Sequence, residues 1–438
     1  MTSRLHNLLT MLRDGRLFRF VAALAARGLE AVGKFGLYML AARLMGGSDS
    51  GLFFLCLTWV NLCSTVARMG LERAMSRHIA AELAIGHGTA ARRVLVAGIG
   101  WTTLASCALG LATWALATPL AVLVFRQPEL ARPLAVAALI LPPQTLAFAI
   151  GFALIGLNRG VAGQMVQSAL PPVLSLIALA AGLDRLDTVL AVYAASYAAC
   201  CALGLGFVAR EWRLRMLDRP MAEAATAEAL PSLWASARPF LVIEIVQVSL
   251  LSAPVLVLGM VAEAAAVSAF SIASRLTMLI NTILISLTMI AAAGFAAHHR
   301  RQDYNELRRA ERQTRLVAMA VCLPVLAAMV AFAHPLLGLM ASDSDAAALA
   351  LWVLAIGQVV NILLPTQDMM LAMTGHGGLL RRLNLWQLLA NLALCAALIP
   401  PLGMLGAAAV TSLGLIQGRV SFALGVRRVL PQLSGRTG

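Results

Sequence analysis

Charged residues are scarce in this chain of 438 residues, where Asp, Glu, Lys and Arg make up only 12%. Soluble domains carry about a quarter charged residues, and the deficit extends along the whole chain, so no soluble domain of ordinary composition fits beside the apolar part. Lysine is almost missing, because Lys34 is the only one and arginine supplies the rest of the net charge of +14. These arginines lie in short loops between apolar segments rather than on a basic face, which excludes a nucleic-acid partner.

Paired cysteines and catalytic motifs are also missing. The seven cysteines lie in apolar runs without a Cys-x-x-Cys pair, which predicts packing residues rather than a disulfide or zinc framework. The chain has no Gly-x-x-x-x-Gly-Lys-[Ser/Thr] phosphate loop, and its loops are too short for a transferase domain. We therefore expect no enzyme activity, no catalytic residues, no cofactor and no metal. The first apolar stretch holds Arg27, Glu30 and Lys34, which excludes a cleavable signal peptide.

Long apolar runs are abundant, with 60% hydrophobic residues and a mean hydropathy of +0.84. A helix needs about 20 mostly apolar residues to cross the hydrocarbon core of a bilayer. This length predicts an all-α polytopic membrane protein with twelve transmembrane segments. They lie near 17–42, 51–76, 94–119, 133–157, 161–183, 187–209, 238–261, 265–296, 314–340, 346–373, 378–399 and 403–426.

The loop arginines predict the orientation of these segments. Alternating the loops between two sides puts twenty-five arginines on one side and only Arg43, Arg126, Arg132 and Arg185 on the other. Positive loops face the cytoplasm, so both termini are predicted to be cytoplasmic.

An offset of 217 residues relates the two halves of the chain. It places Arg92 on Arg309, Gly160 on Gly377 and Arg210 on Arg427. An even number of helices per half predicts two parallel-repeat six-helix halves around a central cavity. The predicted domains are 1–209, a cytoplasmic connector at 210–238, and 239–438. Within the connector, Met221–Leu230 is either an interfacial helix or a plain linker.

Ionisable and polar residues inside the spans are costly, so each is a functional candidate. They fall on single faces of the first, second, seventh, eighth and tenth segments at the helical period, as expected for a wet cavity. The candidates are Arg27, Glu30, Lys34, Asn61, Arg68, Glu244, Ser271, Arg275 and Asp368.

Some of these charges are spaced for pairing within one helix. Glu30 lies three residues after Arg27 and four before Lys34, and Arg68 lies four before Glu72. Both sets are either structural pairs or cavity residues, and the two roles are compatible. Glu244 and Arg275 have no such partner in their own helix, so each needs another helix, a cavity or a substrate. Arg73, near a cytoplasmic end, is expected only to extend towards water.

Three stretches of the chain follow a known pattern: Ala42–Phe53, Gly70–Ala80, and Phe270–Leu276 with Tyr304–Arg309. They resemble the polysaccharide-transporter branch of the multidrug/oligosaccharidyl-lipid/polysaccharide exporter superfamily, the O-antigen and exopolysaccharide repeat-unit flippases. The twelve-segment, two-half layout agrees over essentially the whole chain. The resemblance implies a flippase in the bacterial inner membrane that moves undecaprenyl-diphosphate-linked oligosaccharide to the periplasmic leaflet by alternating access. The implied partners are this lipid-linked oligosaccharide, membrane lipids, a coupling proton or sodium ion, and polymerase or glycan-assembly proteins.

The residue types fit this implied function. Arg27, Lys34, Arg68 and Arg275 have the charge for a diphosphate, and arginine can hold phosphate oxygens in a bidentate manner. Asn61 and Ser271 suit sugar hydroxyls in the same substrate-binding cavity. Glu30, Glu244 and Asp368 are the candidate ion-coupling carboxylates.

Three other functions stay open. An ion-coupled multidrug or cation efflux pump of the same superfamily would need an acidic cavity, and four basic against four acidic interior residues do not exclude one. A membrane scaffold for glycan synthesis would not need charged faces on its helices. A lipid II flippase would usually carry two further helices.

Overall fold

A computed structural model describes residues 16–183, 185–218, 232–338 and 344–430, and these contain helices and turns without a strand. The first six helices are α1 (Arg16–Arg68), α2 (Leu71–Ala84), α3 (Gly88–Ala115), α4 (Pro128–Gly156), α5 (Gly160–Ala180) and α6 (Leu186–Asp218). The others are α7 (Leu233–Val261), α8 (Ala264–Arg300), α9 (Tyr304–Ala331), α10 (Ser344–Leu363), α11 (Gln367–Met373) and α12 (Gly377–Val429). Short helical turns lie between α3 and α4 at Ala117–Pro119 and Leu120–Val124, and another follows α9 at Ala333–Gly338.

Ten helices in the described ranges are long and apolar enough to cross a membrane. Two of them, α1 and α12, span 53 residues each and contain one glycine with non-helical dihedral angles, Gly46 (φ 74°) and Gly403 (φ 54°). Glycine adopts positive φ without the steric penalty of a Cβ atom. If α1 and α12 are each divided at this glycine, the described residues contain twelve candidate membrane segments. If they are counted as single helices, the number is ten. The chain is thus an all-helical, multi-pass membrane protein.

A sharp break separates α1 from α2 at Met69 and Gly70, which have φ values of 52° and 70°. A Cβ atom on Gly70 would lie 2.5 Å from the backbone nitrogen of Leu241 in α7. Glycine is therefore required at this position for two reasons: its positive φ and the close approach of the α7 backbone.

Proline breaks the tenth predicted segment into α10 and α11. Pro365 lies between Leu363, the last residue of α10, and Gln367, the first of α11. Proline has no backbone N–H and disfavours a helical conformation at the preceding residue, so the helix ends before it. The Asn361 carbonyl consequently loses the donor that it would have four residues later in a continuous helix.

The chain divides into two compact units. Unit 1 comprises Met1–Ala41 and Trp59–Ile245, and unit 2 comprises Ala42–Thr58 and Val246–Gly438. Within unit 1, α4 packs against α2, α3 and α6; within unit 2, α10 packs against α8, α9 and α12. One buried core of unit 2 consists of Phe295, Leu307, Met370, Leu371, Phe422, Val426 and Leu430.

Large apolar side chains also cover the outside of the helices. On α3, Trp101, Leu104, Leu111 and Trp114 are exposed by 47 to 66%. Extended apolar patches of this kind are rare on soluble monomers, but they suit contact with lipid.

Part of the predicted connector lies outside the described residues. Met221–Leu230 lies there, so the interfacial helix and the plain linker both remain predictions for it. The structure describes α6 as far as Asp218 and α7 from Leu233.

Candidate functional site

The candidate on the first segment is a cluster around Glu30 in unit 1. Lys34 Nζ donates to Glu30 Oε1 at 2.6 Å, and Arg27 Nη1 lies 3.3 Å from Oε2. Gln164 of α5 also donates to Oε2, at 2.5 Å. The carboxylate is 15% exposed, whereas Lys34 and Arg27 are 36% and 61% exposed. The predicted pairs of Glu30 are confirmed, and two cations surround one carboxylate.

Gln164 was missed by the sequence analysis. It precedes a π-helical turn at Met165–Ala169, and such turns occur frequently at functional sites. In the sequence, Gln164 is only an amide side chain within an apolar segment. Its role becomes clear only when its partner on another helix, Glu30, is known.

Arg68 and Glu72 form a buried pair at the break between α1 and α2. Arg68 Nε lies 3.7 Å from Glu72 Oε1, and Arg68 Nη2 donates to Thr65 Oγ1 at 2.7 Å. The guanidinium carbon also lies 4.4 Å from the centroid of the Phe148 ring. Glu72 is 1% exposed, and its Oε2 has no hydrogen-bond partner in the described part of the chain. The predicted pair therefore forms, but its hydrogen bonding is incomplete.

Asn61 joins α1 to α4 through a side-chain hydrogen bond. Gln144 Nε2 donates to Asn61 Oδ1 at 2.7 Å, and one turn further Thr145 Oγ1 donates to Ser64 Oγ at 3.0 Å. The Asn61 side chain remains exposed, so it keeps access to another ligand.

Glu244 finds its partner on another helix. It forms an ion pair with Arg73 of α2 within unit 1, and the carboxylate is 16% exposed. The expectation that Arg73 only extends towards water is therefore wrong. The close approach of α7 at Gly70 brings the two side chains together, and no spacing within one helix could have shown this.

Ser271 and Arg275 lie on α8 in unit 2. The Arg275 guanidinium carbon is 4.8 Å from the centroid of the Phe54 ring, a cation–π geometry. Ser271 is 3% exposed, and its hydroxyl lacks a hydrogen-bond partner among the residues that the structure describes. Nearby on the same helix, the Ser268 hydroxyl lies 2.7 Å from that of Ser50.

Asp368 belongs to a larger polar cluster in unit 2. Arg419 of α12 donates from Nη1 to Asp368 Oδ1 at 2.9 Å and from Nε to Asn361 Oδ1 at 2.7 Å. One guanidinium therefore contacts both Asn361 and Asp368. Arg419 was overlooked in the sequence, although an arginine inside the twelfth predicted segment is itself the signal.

The nine predicted residues thus fall into clusters within each of the two units. Unit 1 holds Arg27 and Lys34 around Glu30, Asn61 beside Gln144, Arg68 beside Glu72, and Glu244 beside Arg73. Unit 2 holds Ser271 and Arg275 on α8, and Asp368 beside Arg419. A cavity of about 800 Å³ in unit 2, lined in part by His299, Arg300 and Tyr304, contains none of them.

Comparison with known proteins agrees with this fold. The family described as polysaccharide biosynthesis protein matches residues 20–292, and the MatE family matches residues 239–397. No curated protein matches the chain significantly.

Solved structures share the fold at low sequence identity. The lipid II flippase MurJ in an inward closed conformation has a TM-score of 0.73 at 13% identity, covering 93% of this chain and 87% of that one. An inward-facing multidrug resistance MATE family transporter of the MOP superfamily has a TM-score of 0.70 at 16% identity, covering 95% and 100%. A MOP superfamily transporter from Pyrococcus furiosus has a TM-score of 0.60 at 16% identity, covering 94% and 95%. With most of its length matched by the first family and the fold of these transporters throughout, the chain belongs to the polysaccharide biosynthesis protein family and has a MOP superfamily transporter fold.

Proposed function

We propose that this protein is a flippase that translocates undecaprenyl-diphosphate-linked oligosaccharide repeat units from the cytoplasmic to the periplasmic leaflet by alternating access. In this proposal it resides in the bacterial inner membrane with both termini in the cytoplasm. The family match supports a role in polysaccharide biosynthesis. The transporter fold supports movement of a substrate rather than its chemical conversion.

The acidic residues inside the predicted membrane segments are paired with basic ones, and this pairing is the observation that favours an anionic substrate. Glu30, Glu72, Glu244 and Asp368 each lie beside at least one basic side chain of the same unit. A cationic drug would have to displace an arginine or lysine from each of them. An anionic headgroup meets two basic side chains around the single carboxylate of Glu30, so one positive charge there is not balanced by an acid, which favours the lipid-linked substrate.

The cluster around Glu30 adds a positive excess. Arg27 and Lys34 together carry two charges against one, and both are more exposed than the carboxylate between them. Arg27, Lys34, Arg68 and Arg275 are the proposed diphosphate contacts, and Asn61 and Ser271 the proposed sugar contacts. The lipid tail can stay in the bilayer, so only the headgroup needs a polar path.

Coupling to an ion gradient is part of the same proposal. Glu30, Glu244 and Asp368 are the candidate carboxylates for a proton or a sodium ion, and the ion would compete with the basic partner of each. Polymerase or glycan-assembly proteins are the proposed protein partners.

An ion-coupled multidrug efflux pump is the second candidate function. It is favoured by the MatE match over residues 239–397 and by the likeness to a multidrug transporter fold. The two functions differ in the charge of the transported molecule, which an experiment can separate.

The test is translocation of fluorescent undecaprenyl-diphosphate-linked oligosaccharide in proteoliposomes. We expect the wild type to move this lipid, and Arg275→Ala or Lys34→Gln to slow it about tenfold, because each removes a charged donor for phosphate. Arg309→Ala, an exposed arginine of α9 paired with Glu306, is the matched control and should transport normally. A wild type that moves no glycolipid but exports a cationic dye along a proton gradient would establish the efflux function instead.

A further inference from the structure

The cluster around Arg419 in unit 2 has the geometry of a binding site. The arginine is 18% exposed, and it spans the break between α10 and α11 with one hydrogen bond to each helix. Asn361 is fully buried, whereas Asp368 is 43% exposed. One end of the cluster is thus anchored in the protein and the other is open.

Buried amides fix the anchored end. Asn361 Nδ2 donates to Asn281 Oδ1 of α8 at 2.6 Å and to Gln358 Oε1 at 3.0 Å. Its Oδ1 accepts from Arg419, so both ends of this amide are engaged. The guanidinium is therefore held in one orientation before any ligand arrives, which reduces the entropy that binding must overcome.

Spare hydrogen-bonding groups remain at the open end. The two contacts of Arg419 use two of the five N–H groups of a guanidinium, and Asp368 has a second carboxylate oxygen. At the buried end, Pro365 leaves the Asn361 carbonyl without the N–H that a continuous helix would supply. Discontinuous helices with freed backbone groups of this kind form substrate sites in other transporters.

The charge balance of the cluster decides what it can hold. A diphosphate needs donors only, and the Asp368 carboxylate would repel it. A metal or drug cation needs acceptors, and the Arg419 guanidinium would repel it. A neutral polyhydroxyl compound needs donors and acceptors side by side, and the cluster offers both at zero net charge.

We propose that the Asp368–Arg419–Asn361 cluster binds a sugar residue of the transported glycolipid through its hydroxyl groups. This rests on the proposed flippase function. It places Asp368 in glycan recognition rather than ion coupling.

The test compares binding of two probes to purified protein by native mass spectrometry, undecaprenyl diphosphate with and without its oligosaccharide. We expect the wild type to prefer the glycosylated lipid about tenfold, and Asp368→Asn and Arg419→Gln to abolish that preference while leaving affinity for the bare lipid unchanged. Arg309→Gln should change neither affinity. Asp368→Asn keeps the side-chain shape, so it tests the proposal even if Arg419→Gln does not fold.

Each other outcome is decisive. Variants that keep the wild-type preference, or that weaken both probes equally, would overturn the sugar site while leaving the flippase function intact. Thermal stabilisation by sodium in the wild type but not in Asp368→Asn would identify an ion site instead. A wild type that binds neither probe would refute the flippase function itself.

Discussion

Arg73 and Glu244 show how one residue pair links helices that are distant in the chain. The carboxylate is largely buried, and Glu72 lies close enough for repulsion between the two acids to count. Arg73 therefore compensates a charge that would otherwise be poorly solvated. Removing either partner leaves the other without this compensation.

We expect Arg73→Ala and Glu244→Ala each to lower the thermal stability of the purified protein, and the double variant to lose little more than one of them. The coupling energy should be about 0.5–3 kcal/mol, the range for residues in contact. A double-mutant cycle of unfolding midpoints in detergent measures it. Arg77→Ala combined with Glu244→Ala is the matched control and should be additive. Additive effects for the Arg73 pair as well would show that the ion pair contributes nothing.

At the scale of elements, the break between α1 and α2 controls where α7 can pack. Gly70 has a left-handed conformation, and the α7 backbone lies against it. Leu71 and Ala74 of α2 and Ala237 of α7 form a buried apolar contact beside this point. The break and the packing therefore depend on the same glycine.

Gly70→Ala should destabilise the protein by about 1–3 kcal/mol or more, since an alanine is strained at this φ and its Cβ would collide with Leu241. Gly100→Ala is the control, because Gly100 lies on an exposed face of α3 with nothing within 4 Å of a new Cβ atom. It should be neutral or slightly stabilising. Thermal unfolding of both variants checks this, and equal midpoints would contradict the role given to Gly70.

At the scale of the whole molecule, the arginine distribution predicts which loops face the cytoplasm. Arg301 lies in the exposed turn between α8 and α9, on the predicted cytoplasmic side. Glu129 is exposed in the first turn of α4, on the predicted periplasmic side. Both placements are predictions from the arginine distribution.

In a cysteine-free background, Glu129→Cys should react with an impermeant maleimide in cells whose outer membrane is permeabilised. Arg301→Cys should react only after the inner membrane is also opened. Gel-shift labelling measures both. Labelling of Arg301→Cys in sealed cells would invert the proposed topology.

The predicted internal repeat also relates residues that form polar contacts. The offset of 217 residues relates Ser64 to Asn281 and Gln144 to Asn361. In unit 1 the members of this set join α1 to α4, and in unit 2 they join α8 to α10. Polar side chains at related positions thus join α1 to α4 in unit 1 and α8 to α10 in unit 2.

The sequence predicted what depends on local spacing. The apolar segments and the pairs of Glu30 and Arg68 follow from helical periodicity, and the structure contains them. The partners of Glu244 and Asp368 could not be predicted, because Arg73 and Arg419 reach them through tertiary packing. The continuity of α1 and α12 was also hidden, since glycine-containing loops and kinked helices look alike in sequence.

The guanidinium of Arg419 also has a mechanical consequence. Its plane fixes the separation of Nε and Nη1, which bind α10 and α11 respectively. It therefore acts as a rigid spacer across the break at Pro365. If α11 tilts away from α10, Arg419 loses its hydrogen bond to Asn361 or to Asp368. A ¹⁵N label on this single side chain would report that tilt as a change in proton exchange, without any probe being attached to the helices.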